Sequence, residues 1–135
     1  MASALYDKAR KAFADGDIDL LNDTIKCVLI DAADYTVDLA NHDFLDDVAS
    51  GARVGTAQTL GSKTTTAGVF DAADVTFSSV SGDQCEAILI YKDTGTEGTS
   101  PLIAYIDSAT GLPVTPNGGD IQIQWDNGSN KIFKL

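Results

Sequence analysis

The run from Cys85 to Asp107, CEAILIYKDTGTEGTSPLIAYID, restricts the fold more than any other stretch of the chain. From Cys85 to Lys92 both alternating faces are largely apolar, and β-branched and aromatic residues are dense. Such a strand has to be covered on both sides, as in the centre of a sandwich. Asp93 to Ser100 is turn chemistry throughout. Pro101 to Asp107 reads as a second apolar strand, with its proline at the first position, where a missing N–H does least harm. The two runs make a hairpin, and the rest of the chain must supply the layers that cover it.

Periodicity places those layers. Thr24 to Ile30 predicts a strand that starts half exposed and ends buried, and Tyr35 to Asp38 a short extended piece. Arg53 to Leu60 and Lys63 to Phe70 predict thin strands at an edge or in a projecting loop. Asp74 to Val80 alternates, as does Asp120 to Trp125, with Ile121, Ile123 and Trp125 inward. Lys131 to Leu135 is the last strand, and Asp126-Asn127-Gly128 before it is a hairpin turn signal. Ser3 to Ala14 predicts an amphipathic helix, with Leu5, Ala9 and Phe13 on one stripe, Ser3 as N-cap and Gly16 as terminator. Asn41 to Val48 predicts a helical turn capped by Asn41, with Phe44, Leu45 and Val48 inward. Asp31-Ala32-Ala33-Asp34 is echoed by Asp71-Ala72-Ala73-Asp74, but the flanks do not align well, and coincidence or similar turn chemistry accounts for the echo better than a duplication.

The fold class that follows is mainly β: a single antiparallel β-sandwich or barrel-like domain over residues 1–135, with a short N-terminal helix and one further helical turn. Residues 1–16 form a helical N-terminal arm. Residues 50–68, rich in Gly and Thr, offer little to pack and are expected to be flexible.

The formal net charge of −11 argues against nucleic acid, whose phosphates require a basic patch. No apolar run reaches the roughly 18 residues of a membrane span, and the first ten residues lack a signal-peptide apolar core, so synthesis in a cytosol is expected. Cys27 and Cys85 each fall inside a strand and read as buried free thiols; with one histidine they do not make a zinc site.

Candidate chemistry is sparse. Glu86 and Glu97 are the only glutamates, and the eighteen aspartates are spread through turns. Asp15, Asp17 and Asp19 alternate like a calcium loop, but no glycine follows at the sixth position and Lys26 stands at the twelfth. His42 beside Asp43 has no nucleophile at a recognisable spacing and reads as a surface histidine near a helix start. Gly118-Gly119 opens a strand, not a phosphate-binding helix. Trp125 and Tyr105 could form a sugar-stacking platform only if they faced outward, and their phase points them inward. Neither an enzyme nor a cofactor or metal is expected.

Several segments, taken in order, carry a resemblance. They are Phe13 with Gly16-Asp17-Ile18-Asp19, then Asp23 to Leu29, then His42-Asp43-Phe44-Leu45-Asp46-Asp47. Val69 to Phe77, Ile90 to Thr96, Ser100 to Asp107 and Ile121 to Trp125 follow. Through them the chain resembles a family of small tailed-bacteriophage virion structural proteins, with residues 50–68 the least matched. The resemblance implies a structural protein of the particle, made in the host bacterial cytoplasm and located in the virion. The role expected from it is a capsid decoration, or cement, protein that binds and stabilises the outer surface of the mature head. Its partners would be the major capsid protein and copies of itself, as a trimer or at high copy number, with no nucleic acid or membrane. The contact candidates are Leu5, Tyr6, Ala9 and Phe13 from the N-terminal helix, and Ile132, Phe133 and Leu135 from the last strand. The alternative is a tail or fibre-associated β-sandwich module that contacts host or carbohydrate through the 50–68 and 93–100 loops.

Overall fold

A computed structural model describes residues 4–129 and 131–135. Its strands are β1 (Ala4–Leu5), β2 (Ile25–Ile30), β3 (Arg53–Thr59), β4 (Val69–Phe70), β5 (Val75–Phe77), β6 (Ala87–Lys92), β7 (Leu102–Ile106), β8 (Ile121–Ile123) and β9 (Phe133–Lys134), and its α-helix is α1 (Asp7–Asp15). Every strand pair is antiparallel. β1, β7, β6, β2 and β3 lie in that order in one five-stranded sheet, while β4 pairs with β9 and β5 with β8. The sheet does not close, so the sandwich expectation holds and the barrel one does not.

The apolar hairpin is the middle of the large sheet. β6 pairs with β7 on one side and with β2 on the other, in unbroken register from Ile25↔Lys92 to Ile30↔Ala87. Both faces of the sheet are covered, as the two apolar faces of these strands require. On one face Cys27, Leu29, Ile88 and Ile90 pack in a cluster with Phe70, Phe77, Ile123 and Trp125 from the small sheets and their flanks. On the other, Val28, Ile30, Leu89 and Leu102 pack with Tyr6, Tyr35, Leu45 and Val48. Burying each such aliphatic or aromatic side chain contributes about 1.5–3 kcal/mol. Between Ile90↔Ala104 and Tyr91↔Leu102 the pairing skips Ile103, and this bulge puts Ile103 and Ala104 in the same cluster.

Several elements differ from the sequence expectation. The helix begins at Asp7, and residues 4–5 pair instead with Tyr105 and Ala104 as an edge strand. The N-cap position belongs to Tyr6, which makes no side-chain capping bond; Ser3 lies outside the described residues. Gly16 does end the helix, at φ +80°, a conformation that favours glycine. Tyr35 to Asp38 forms no strand, because Asp38 folds its carboxylate back onto the N–H groups of Ala40 and Asn41. Asn41 is therefore no cap; the helical turn is a 3-10 turn at Leu45–Asp47, entered from Phe44, with Leu45 and Val48 buried and Phe44 half-buried. The strand expected over 63–70 shrinks to β4, preceded by a 3-10 turn at Thr66–Gly68.

The last hairpin does not form. Asp126 accepts the Gly128 N–H at 3.0 Å, so the chain does turn there. The two strands then go to different partners: Ile121 and Ile123 to Phe77 and Val75, Phe133 to Phe70. Apolar pairing across the core outweighs the local turn signal.

Candidate functional site

The two terminal segments, far apart in sequence, meet in space. β1 is one edge of the large sheet, α1 follows it, and β9 lies alongside, held through β4. Phe13 of α1 meets Phe133 of β9 with ring centroids 6.4 Å apart, and Phe133 meets Phe70 at 5.1 Å. A furrow runs over this junction. One part, of about 440 Å³, is lined by Phe13, Ile18, Leu20, Leu21 and Leu135, among others. It adjoins a second, of about 260 Å³, lined by Leu5, Arg10, Phe13, Lys134 and Leu135. A third part, of about 390 Å³, continues over Leu5, Trp125, Ile132 and Phe133, with Arg10, Asp126, Lys131 and Lys134 as its charged lining.

Leu21 and Leu135, 50% and 56% exposed, are the exposed large hydrophobic residues among those described, and both line the first part. Half-buried Phe13 lies with them. Exposed apolar side chains gathered on one face are the usual mark of a contact surface. Of the candidates read from the sequence, Leu5, Phe13, Ile132, Phe133 and Leu135 come together here. Leu5, Ile132 and Phe133 are buried and form its floor, while Phe13 and Leu135 reach the surface. Tyr6 and Ala9 do not join them: both are fully buried in the cluster on the other face of the sheet. Leu21 was not expected; its only signal in the sequence was an apolar Leu20-Leu21 pair inside an acidic loop.

Tyr6 starts a polar chain instead. Its hydroxyl lies 2.8 Å from that of Tyr35, which in turn lies 2.8 Å from His42 Nδ1. His42 is half-buried and stacked on Tyr35, so it is not the free surface histidine the sequence suggested. Burial pushes the Tyr6 phenol far up, and burial likewise pushes Tyr35 up to about 12, so both phenols are neutral. Replacing Tyr35 by phenylalanine leaves the buried Tyr6 hydroxyl without this partner. The expected loss is about 1–3 kcal/mol in urea unfolding, and a loss near zero would show that the chain is not satisfying Tyr6.

Two groups of three carboxylates converge: Asp31, Asp34 and Asp83, and Asp43, Asp46 and Asp47. By donor type these are where a hard divalent cation would find oxygens. In the second group, Asp47 accepts the N–H groups of Asp43 and Phe44 at 2.8 and 3.4 Å. Burial and the neighbouring Asp47 push Asp43 up, and the two carboxyl groups titrate as a pair. The Asp15, Asp17, Asp19 run does not converge: Asp15 pairs with Lys11, and Asp19 accepts from Leu21, Asn22 and the Asn22 amide. Trp125 and Tyr105 are 4% and 5% exposed, and the indole donates to the Ala73 carbonyl, so they pack in the core and form no platform. Cys27 and Cys85 are free and buried, and burial pushes their thiols up to about 12 and about 11.

The exposed turns give a pH dependence. Hydrogen bonds from Asn22, from Asn41, and from Gly95 with Lys26 hold Asp19, Asp38 and Asp93 below the usual carboxylate range, and Arg53 does the same for Glu97. Groups with lowered folded-state values contribute stability above the ordinary value of about 4 and lose it as pH falls through the folded-state value. The thermal midpoint is therefore expected to drop between about pH 5 and about pH 2, and Asp93→Asn should flatten part of the drop. A midpoint unchanged over that range would contradict it.

Comparison with protein-family models and with curated protein sequences returns no match.

Proposed function

We propose that this chain is a structural protein of a tailed-bacteriophage particle, a decoration protein that docks on the outer surface of the mature head through its terminal face. The observation that carries the reading is the gathering of Leu21, Leu135 and Phe13 on a furrow built from both terminal segments. A rigid β core that presents one apolar contact face suits a protein whose work is adhesion between subunits. The net charge of −11 supports long-range steering towards a basic protein surface, with apolar contact taking over at close range. High copy number on a symmetric shell follows from the same role.

Sedimentation of purified protein with mature heads, and separately with tails, tests the proposal. Saturable binding to heads that weakens as salt rises, with a gain in the heat resistance of the heads, is the expected result. Binding to tails alone would move the function to host contact and overturn it.

A further inference from the structure

A second feature lies away from the terminal face and shares no lining residue with its furrow. Val48 to Phe70 contains two of the nine Lys and Arg residues, Arg53 and Lys63, and none of the twenty acids. That stretch carries +2 against −13 for the remainder of the chain. Its strand, β3, is bulged: Cys27 pairs with Gln58 and Leu29 with Val54, so Gly55, Thr56 and Ala57 stand opposite Val28 alone. Gly55, at φ +75°, supplies the left-handed conformation the bulge needs. Beside the bulge is a hollow of about 240 Å³, lined by Val28, Ser50, Arg53, Gly55, Ala57 and Tyr91.

The hollow holds an unpaired charged donor and no charged acceptor. Arg53 Nε is buried with no hydrogen-bond partner, a costly state for a guanidinium N–H. Its Nη2 donates to Glu97 Oε1 at 2.7 Å, which leaves the adjacent Nε unused. Glu97 is 54% exposed at its side chain and belongs to a short surface turn, Glu97–Thr99, so it can be displaced. Among the described residues nothing hydrogen-bonds the side-chain hydroxyls of Ser50 or Tyr91, and no carboxylate lines the hollow. An acceptor-only, planar, two-oxygen group is what this set of donors matches.

We propose that the Arg53 hollow is a carboxylate-binding site, in which Glu97 holds the guanidinium by one oxygen and gives way to an incoming carboxylate that takes Nε and Nη2 together. The natural source is either an acidic side chain of another copy of this chain or a carboxylate from elsewhere; the chemistry is shared.

The test follows the Arg53 Nε–H resonance in ¹⁵N-labelled protein during titration with sodium acetate, against sodium chloride at equal ionic strength. The expected result is a saturable acetate-specific shift, about two- to fivefold tighter in Glu97→Gln, where the internal competitor is weakened. Arg53→Lys, which cannot present two coplanar donors, should lose the acetate response at the amides of Ala57 and Tyr91. A dilution series without acetate separates the sources. A concentration-dependent shift of the same resonance, with a parallel rise in sedimentation coefficient, assigns the carboxylate to a second copy. A concentration-independent resonance, with the acetate response intact, assigns it to another molecule. No acetate-specific shift in either the native protein or Glu97→Gln would overturn the proposal.

Discussion

Truncating Phe70 to alanine is expected to destabilise the protein by about 3–5 kcal/mol in urea unfolding. The side chain is fully buried and belongs to the cluster that joins the large sheet to the small ones. It also holds the terminal face together, because its ring packs on Phe133 at 5.1 Å and its carbonyl accepts the Ile132 N–H at 3.1 Å. β9 has two residues and pairs only with β4 among the described residues, so it has little else to hold it. Hydrogen exchange at Ile132 and at Leu135, whose N–H bonds the Gly68 carbonyl, should accelerate along with the global loss. A loss below about 1 kcal/mol would mean that the terminal strand is held some other way.

The second large effect is on binding. Changing Leu21 and Leu135 together to serine removes the two exposed large hydrophobics while touching little of the core. Stability should stay within about 0.5 kcal/mol for each exposed site. Affinity for mature heads should fall by about 100-fold or more, since each apolar anchor buried at an interface is worth about 1.5–3 kcal/mol. Unchanged affinity in a folded double variant would detach the terminal face from the function.

The hairpin and its burial were legible because a strand that is apolar on both faces has few places to go. β6 and β7 lie at the centre of the large sheet, as their composition required. The short outer elements were less legible. Residues 4–5 have the phase of the helix that follows, yet the open edge of β7 takes them as a strand, a long-range choice that no local pattern records. Asp126-Asn127-Gly128 marks a turn correctly, but a turn signal does not say which strands it joins, and Phe70 and Phe77 decide that from elsewhere in the core. The Tyr35 to Asp38 stretch has strand-like residues and loses them to the side-chain hydrogen bonds of Asp38.

The terminal face was half legible. Naming the first helix and last strand brought in Leu5, Phe13, Ile132, Phe133 and Leu135, which do converge. The same segment misplaced Tyr6 and Ala9: residues 4–5 pair as an edge strand, the helix begins only at Asp7, and both side chains pack on the other face of the sheet. Leu21 had no periodic pattern to mark it, and only the fold of the acidic loop brings it beside Leu135. The Arg53 hollow was legible only as an acid-free stretch around Arg53; its shape depends on a register shift between β2 and β3.

Radical footprinting of the protein, free and bound to mature heads, tests the central claim most directly. The expected result is loss of labelling at Leu21, Phe13 and Leu135 on binding, with Leu39 and Leu112, which line no part of the terminal furrow, labelled equally in both states. Protection confined to other surfaces, with the terminal face still labelled on the bound protein, would contradict it.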